Sequence, residues 1–153
     1  MTTLLQLASE MSRLRVAIPK IGDFVAKETA RKIHTDLVKE TPVDTSRALS
    51  NWTINIGRKL PAVNIEFGGY PAYYPGTGGS TESASENLAI TIMGVYLDLK
   101  KPGKKIFIQN TIDYIGKLNT GSSPQAESMF IEDIITVGFW HSFTVDVKRF
   151  LWK

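Results

Sequence analysis

Cysteine is absent from this chain, which excludes a disulfide framework, a thiolate nucleophile, a haem-attachment motif and a Cys-based zinc site. A reducing compartment fits that absence. Histidine is nearly as scarce, with only His34 and His141. Neither lies at metal-binding spacing from a second histidine or a carboxylate, so each reads as a surface or core-edge residue of a helix. No apolar run approaches the ~20 residues that span a bilayer. The opening Met1-Thr2-Thr3-Leu4-Leu5-Gln6 also lacks the basic start and sustained apolar stretch of a signal peptide. The expectation is a protein that is neither exported nor membrane-spanning. Strong charge of one sign is missing too: 18 basic against 15 acidic residues leave a net +3, far from the dense basic face of a dedicated nucleic-acid binder.

What remains is an ordinary globular composition, 42% apolar and 22% charged over 153 residues. That length suits one domain with one core. Leu4, Leu7, Met11, Leu14 and Ile18 recur at alternating steps of three and four, a helical stripe. Thr3 and Gln6 have capping-box spacing at its start, and Pro19 is expected to end it. A second helix is expected after Asp23 as N-cap, with Phe24, Val25, Ile33, Leu37 and Val38 inward and Lys27, Arg31, Lys32 and Lys39 outward. Pro42 stops it, with Thr41 extended.

The period then changes to two. Trp52, Ile54 and Ile56 alternate with Asn51, Thr53 and Asn55, and Val63, Ile65 and Phe67 repeat the pattern. The short span 57–61 predicts an antiparallel hairpin, with Pro61 placing the second strand at an edge. Residues 68–80 hold five glycines, two prolines and three tyrosines, an irregular loop whose Tyr70, Tyr73 and Tyr74 need a surface to pack against. Ser83 and Glu86 cap a helix carrying Leu88, Ile92, Val95 or Tyr96, and Leu99 inward, which Pro102-Gly103 terminates. Ile106, Phe107 and Ile108 begin a further strand reaching Asn110. After a turn over 119–123, Ser123 and Pro124 read as N-cap and first position of a long final helix. Its apolar face would use Phe130, Ile131, Ile134, Ile135, Phe139, Phe143 and Val147, although Phe143, Val145 and Val147 also alternate as in a strand. The bulky residues Phe139, Trp140, Phe143, Phe150, Leu151 and Trp152 exceed what one helix face can bury, so Phe150, Leu151 and Trp152 need a further surface, either on an adjacent subunit or the next ring or elsewhere within the chain.

Chemistry is sparse. The glycines of Gly76-Thr77-Gly78-Gly79-Ser80-Thr81 lack the Lys-Ser/Thr of a phosphate loop. Glu132 and Asp133 adjoin on a helix and so diverge, whereas paired acid and base carboxylates converge on one bond. Asp44 and Arg47 suit a capped turn, and Trp52 a core position. We therefore expect no catalytic residues, no cofactor and no metal. The lysines 100, 101, 104 and 105 around Pro102-Gly103 leave open a weak phosphate contact.

Two local patterns are more specific than any of these. One is Thr41-Pro42-Val43-Asp44-Thr45-Ser46-Arg47-Ala48-Leu49-Ser50-Asn51-Trp52, and the other is Asp113-Tyr114-Ile115-Gly116-Lys117-Leu118-Asn119-Thr120-Gly121-Ser122-Ser123-Pro124-Gln125-Ala126. Together with Tyr73-Tyr74-Pro75-Gly76 and Gly79-Ser80-Thr81 they resemble the neck, or tail-completion, proteins of tailed bacteriophages, over roughly residues 20–140. Ser46 stands where that family commonly has Gly, and Glu127-Ser128 where Pro and Gly are usual.

The resemblance implies a small α+β subunit: an antiparallel sheet packed by N-terminal, middle and C-terminal helices. It would be a single domain with a peripheral helix over 1–18, a family-like core over 20–140 and an extension over 141–153. It implies a six- or twelve-fold ring in the virion neck, a terminator or connector joining head to tail, assembled in the host cytoplasm. The partners implied are further copies of the chain, adjacent neck and tail-tube proteins and DNA passing in the channel, with no membrane. The motif residues Thr41, Pro42, Asp44, Arg47, Asn51, Trp52, Tyr114, Leu118, Gly121, Ser123 and Gln125 would be structural. Tyr70, Tyr73, Tyr74, Phe150, Leu151 and Trp152 would be inter-subunit contacts. The alternatives are another minor capsid or tail component, or a DNA-binding accessory protein, which a steep fall of affinity with salt distinguishes.

Overall fold

The computed structural model describes residues 3–42, 47–59, 105–125 and 127–145. Helix α1 (Leu4–Glu40) opens on the capping box expected from Thr3 and Gln6. The Thr3 backbone N–H donates to Gln6 Oε1 at 2.8 Å and the Gln6 N–H donates back to Thr3 Oγ1 at 3.3 Å. Contrary to the expectation of two helices, α1 runs unbroken through Pro19. A proline removes one N–H and so leaves the Arg15 carbonyl without its partner within the helix. Arg15 and Pro19 are exposed, so water can reach that carbonyl. A break would instead strand four N–H and four C=O groups at the new ends. Asp23, expected as an N-cap, lies inside the helix and pairs with Lys27 at 3.1 Å.

The two halves of α1 differ. Leu4, Leu7, Met11, Leu14 and Ile18, read from the sequence as one helical stripe, are exposed. The C-terminal half carries the burial, with Leu37 and Val38 as expected and Ala30 and His34 in addition. It ends at Thr41, whose backbone is extended (φ −69°, ψ 123°), as the following Pro42 requires.

A single turn, α2 (Arg47–Ser50), leads into β1 (Trp52–Ile56), which pairs antiparallel with β2 (Ile106–Asn110). The register sets Trp52 opposite Asn110, Ile54 opposite Ile108 and Ile56 opposite Ile106. The Gly57 N–H, on a residue at φ 94°, extends the ladder to the Lys105 carbonyl at 2.8 Å. Thr53 and Asn51, expected on a solvated face, are buried as well. Thr53 meets that cost by donating its hydroxyl to the Gln109 carbonyl at 3.3 Å. The expected partner strand over 63–67, the tyrosine loop over 68–80, the helix after Ser83 and residues 146–153 lie outside the described residues.

A short helix α3 (Ile115–Asn119), not anticipated, precedes the final helix α4 (Phe130–His141). Ser123 and Pro124 do not start α4. They form a turn in which Ser123 Oγ accepts from the Gln125 N–H at 3.2 Å. The helix begins instead after Met129, in the left-handed conformation (φ 68°) and with no side-chain cap of its own. One cluster joins α1, α2, β1 and α4 through Leu37, Val38, Leu49, Trp52, Phe130 and Ile134. A smaller one sets Ala30 against Ile54.

The packed face of α4 runs through Phe130, Ile134 and Gly138. The expected face members Ile135, Phe139 and Phe143 are exposed. Gly138 explains the rotation: a Cβ there would overlap Ile33 Cγ1 and lie 2.7 Å from its Cδ1. Two helices approach most closely where one has no side chain, so glycine takes the contact line that a larger apolar residue was expected to hold. The helix ends at His141, and 143–145 form turns and a bend, neither helix nor strand.

Candidate functional site

The two motif segments meet the same core. At the end of α1, Thr41 is buried, and its hydroxyl donates to the Leu37 carbonyl while accepting the Trp52 indole N–H at 2.7 Å. The Trp52 carbonyl faces His34 Nε2 at 3.2 Å. Trp52 thus ties β1 to α1 at two points, as a core residue that is 5% exposed. Across the ladder, Asn110 donates its side-chain N–H to the Ala48 carbonyl at 2.8 Å and accepts the Ile112 N–H at 3.2 Å. This carboxamide holds α2 against the sheet edge and shapes the entry to the second segment.

In that segment Tyr114 and Leu118 are half-buried, and the Tyr114 carbonyl accepts the Lys117 and Leu118 N–H groups at 3.0 and 3.1 Å. Gly121 sits at φ 86°, where an added Cβ would come 3.3 Å from Ser128 Cβ. A side chain there would be strained in backbone and crowded at once. Gln125 is exposed and lines a cleft of about 480 Å³ together with the apolar Phe130, Ile134 and Val137 and the acidic Asp36, Glu40, Glu127 and Asp133.

Asn119, inside the second segment, was read from the sequence as the start of a turn. It is buried, and it caps α4 from a distance. Its Oδ1 accepts the Ile131 N–H at 3.0 Å, its Nδ2 donates to Glu132 at 2.7 Å and its carbonyl accepts the Met129 N–H at 2.6 Å. The Asn119 side chain therefore does for α4 what a local N-cap residue would do.

His34 is not at the surface or core edge as expected but 1% exposed. Burial pushes its pKa below the ordinary 6.5 because charging it there forfeits hydration, and the Trp52 carbonyl offsets this only in part. The other histidine, His141, has Nδ1 3.3 Å from Thr144 Oγ1. The same hydroxyl donates to the His141 carbonyl at 2.8 Å. Among the described residues no three His, Asp or Glu side chains converge as a metal site, and no helix is long and apolar enough to cross a membrane.

Exposed apolar side chains lie along the first half of α1 and at the end of α4. Phe139, Trp140 and Phe143 gather at the end of α4 with centroid separations of 5.4 to 6.0 Å, and they are 57, 65 and 69% exposed. Of the six bulky side chains noted in the sequence, these three are exposed. Of the basic cluster, Lys105 is exposed. Asp44, Tyr70, Tyr73, Tyr74, Lys100, Lys101, Lys104, Phe150, Leu151, Trp152 and the Arg47 side chain lie outside the described residues. Comparison of the chain with known protein families, curated proteins and solved structures finds no match.

Proposed function

We propose that this protein is a structural subunit of a tailed-bacteriophage virion, a neck or tail-terminator ring component joining the head connector to the tail, and that its work is assembly and not catalysis. The observation that carries the reading is the exposed aromatic cluster of Phe139, Trp140 and Phe143, outward on a helix whose other face is packed. Aromatic side chains are enriched in the buried core of protein interfaces, and these three meet edge to face or tilted at the exposed end of α4. The two motif segments, with Trp52 and Thr41 buried between elements, support the same reading through their resemblance to neck proteins. In a closed ring each copy presents one patch to one neighbour and receives a different patch from the other.

Imaging of the native particle tests the proposal. We expect a rotationally symmetric ring between head and tail; a strictly monomeric or dimeric protein in the mature particle refutes it. Phe139→Ser combined with Trp140→Ser is expected to melt within about 0.5 kcal/mol of the parent, because both side chains are exposed. The same variant should fail to join heads to tails. A variant that joins them normally removes the aromatic cluster from the interface.

A further inference from the structure

The first half of α1 has a pattern that stays exposed among the described residues. Leu4, Leu7, Met11, Leu14, Ile18 and Ile21 fall at steps of 3, 4, 3, 4 and 3, a seven-residue repeat sustained over three turns of the pattern, and the first five are 47 to 86% exposed. A repeat of 3.5 residues makes a narrow straight seam, which fits the same seam on another helix better than it fits a globular core. The positions flanking the seam agree. Ala8, Ala17 and Gly22 are small and let a second backbone approach, while Pro19 falls on the side away from the seam, where its ring meets solvent.

The two charged flanking positions decide the partner and its direction. Glu10 and Arg15 occupy opposite flanks of the seam, five residues apart. That is the spacing at which one helix reaches across to a parallel, in-register copy of itself. Two copies so arranged form two symmetry-related Glu10 to Arg15 pairs. Antiparallel, with Leu7 against Ile18 of the other copy, Glu10 would face Ala17 and Arg15 would face Ala8, with no pairing. Neither Glu10 nor Arg15 makes an ion pair within the chain among the described residues.

We infer that residues 4–21 of α1 are an association arm that pairs in parallel and in register with the arm of a second copy of this chain. In an even-numbered ring, arms of adjacent subunits can pair two by two around the rim. The pairing itself requires no virion component, so its test is separate from particle imaging.

The chain has no cysteine, which makes disulfide trapping clean. Full-length Leu7→Cys is expected to form a disulfide-linked dimer under mild oxidation, well above the Arg13→Cys control on the outer face. Arg15→Glu should raise the dimer dissociation constant about tenfold, since two pairs turn from attraction to repulsion. The exchange Glu10→Arg with Arg15→Glu should restore it, read by sedimentation equilibrium. Because residues 4–16 are exposed throughout, the thermal melt of the core in each charge variant is expected to match the parent at concentrations below association. No cross-linking of Leu7→Cys above the control overturns the inference, as does cross-linking that requires a mixture of Leu7→Cys and Ile18→Cys. Failure of the double exchange to restore association overturns the partner assignment.

Discussion

Gly138 of α4 lies directly against Ile33 of α1, and adding one methyl group there sets two known effects against each other. In an exposed helix, Gly→Ala stabilises by about 1 kcal/mol, because alanine loses less backbone freedom. Here the new Cβ would overlap Ile33 Cγ1 and lie 2.7 Å from Cδ1. Isoleucine on a helix has one strongly preferred χ1, so its Cγ1 cannot swing aside cheaply and the helices must separate. Overpacking of this kind costs roughly 1 to 3 kcal/mol. The expected net is a loss of about 1 kcal/mol, or a fall in Tm of about 2–4 °C for a domain of this size.

The sign should invert when Ile33 is trimmed. Its Cβ would sit 3.5 Å from the new methyl, an ordinary contact, so in an Ile33→Ala background Gly138→Ala is expected to stabilise by about 1 kcal/mol. A double-mutant cycle by urea denaturation should therefore show a coupling of about 2 kcal/mol. If Gly138→Ala raises Tm in the parent, or shifts both backgrounds equally, the close approach described for these helices is wrong.

Asn119→Ala removes the Ile131 cap and the Glu132 tether together and should cost about 1–2 kcal/mol in chemical denaturation; a change below 0.5 kcal/mol would mean that α4 finds another cap. Because the folded state lowers the His34 pKa below 6.5, the unfolded chain binds more protons there. Stability should be full above about pH 6.5 and decline as pH falls through the folded-state value, by up to about 1.4 kcal/mol per pH unit. His34→Gln should flatten that dependence, and an unchanged slope would assign it to other groups. Trp52→Phe keeps most of the apolar volume but leaves Thr41 Oγ1 without its indole donor, an expected loss of about 1–2 kcal/mol. Trp52→Ala should lose roughly 3–5 kcal/mol, and a parent-like melt of both would place Trp52 outside the core.

Local signals in the sequence were read correctly where the cause was also local. The Thr3–Gln6 capping box needs only residues three apart, and the end of α1 at Thr41 needs only the ring of Pro42. The strands at 52–56 and 106–110 follow from short runs of β-branched and aromatic residues. The break wrongly expected at Pro19 also has a local cause, the exposed Arg15 carbonyl, whereas the failures at α4 involve a partner distant in the chain. Ser123-Pro124 has the local form of a helix start, yet α4 begins six residues later because Asn119, at the end of α3, supplies the cap. The heptad stripe of α1 was legible, but its exposure was not, since a periodic apolar stripe says that something covers it and not what does.

Chain chemistry alone therefore determined the class of the molecule, helices with antiparallel strands in an α+β arrangement, and showed an apolar stripe early in the chain and an excess of aromatics late in it. Tertiary structure decided which faces are inside. Ile33 fills the space a side chain at Gly138 would need, turning α4 so that Phe139, Trp140 and Phe143 meet solvent. The pairing of Trp52 with Thr41 and His34 likewise depends on where β1 crosses α1. Periodicity fixes the angular spacing of side chains along one element, whereas the direction of the buried face depends on the closest approach between two elements, and a glycine leaves no hydrophobic mark to announce it.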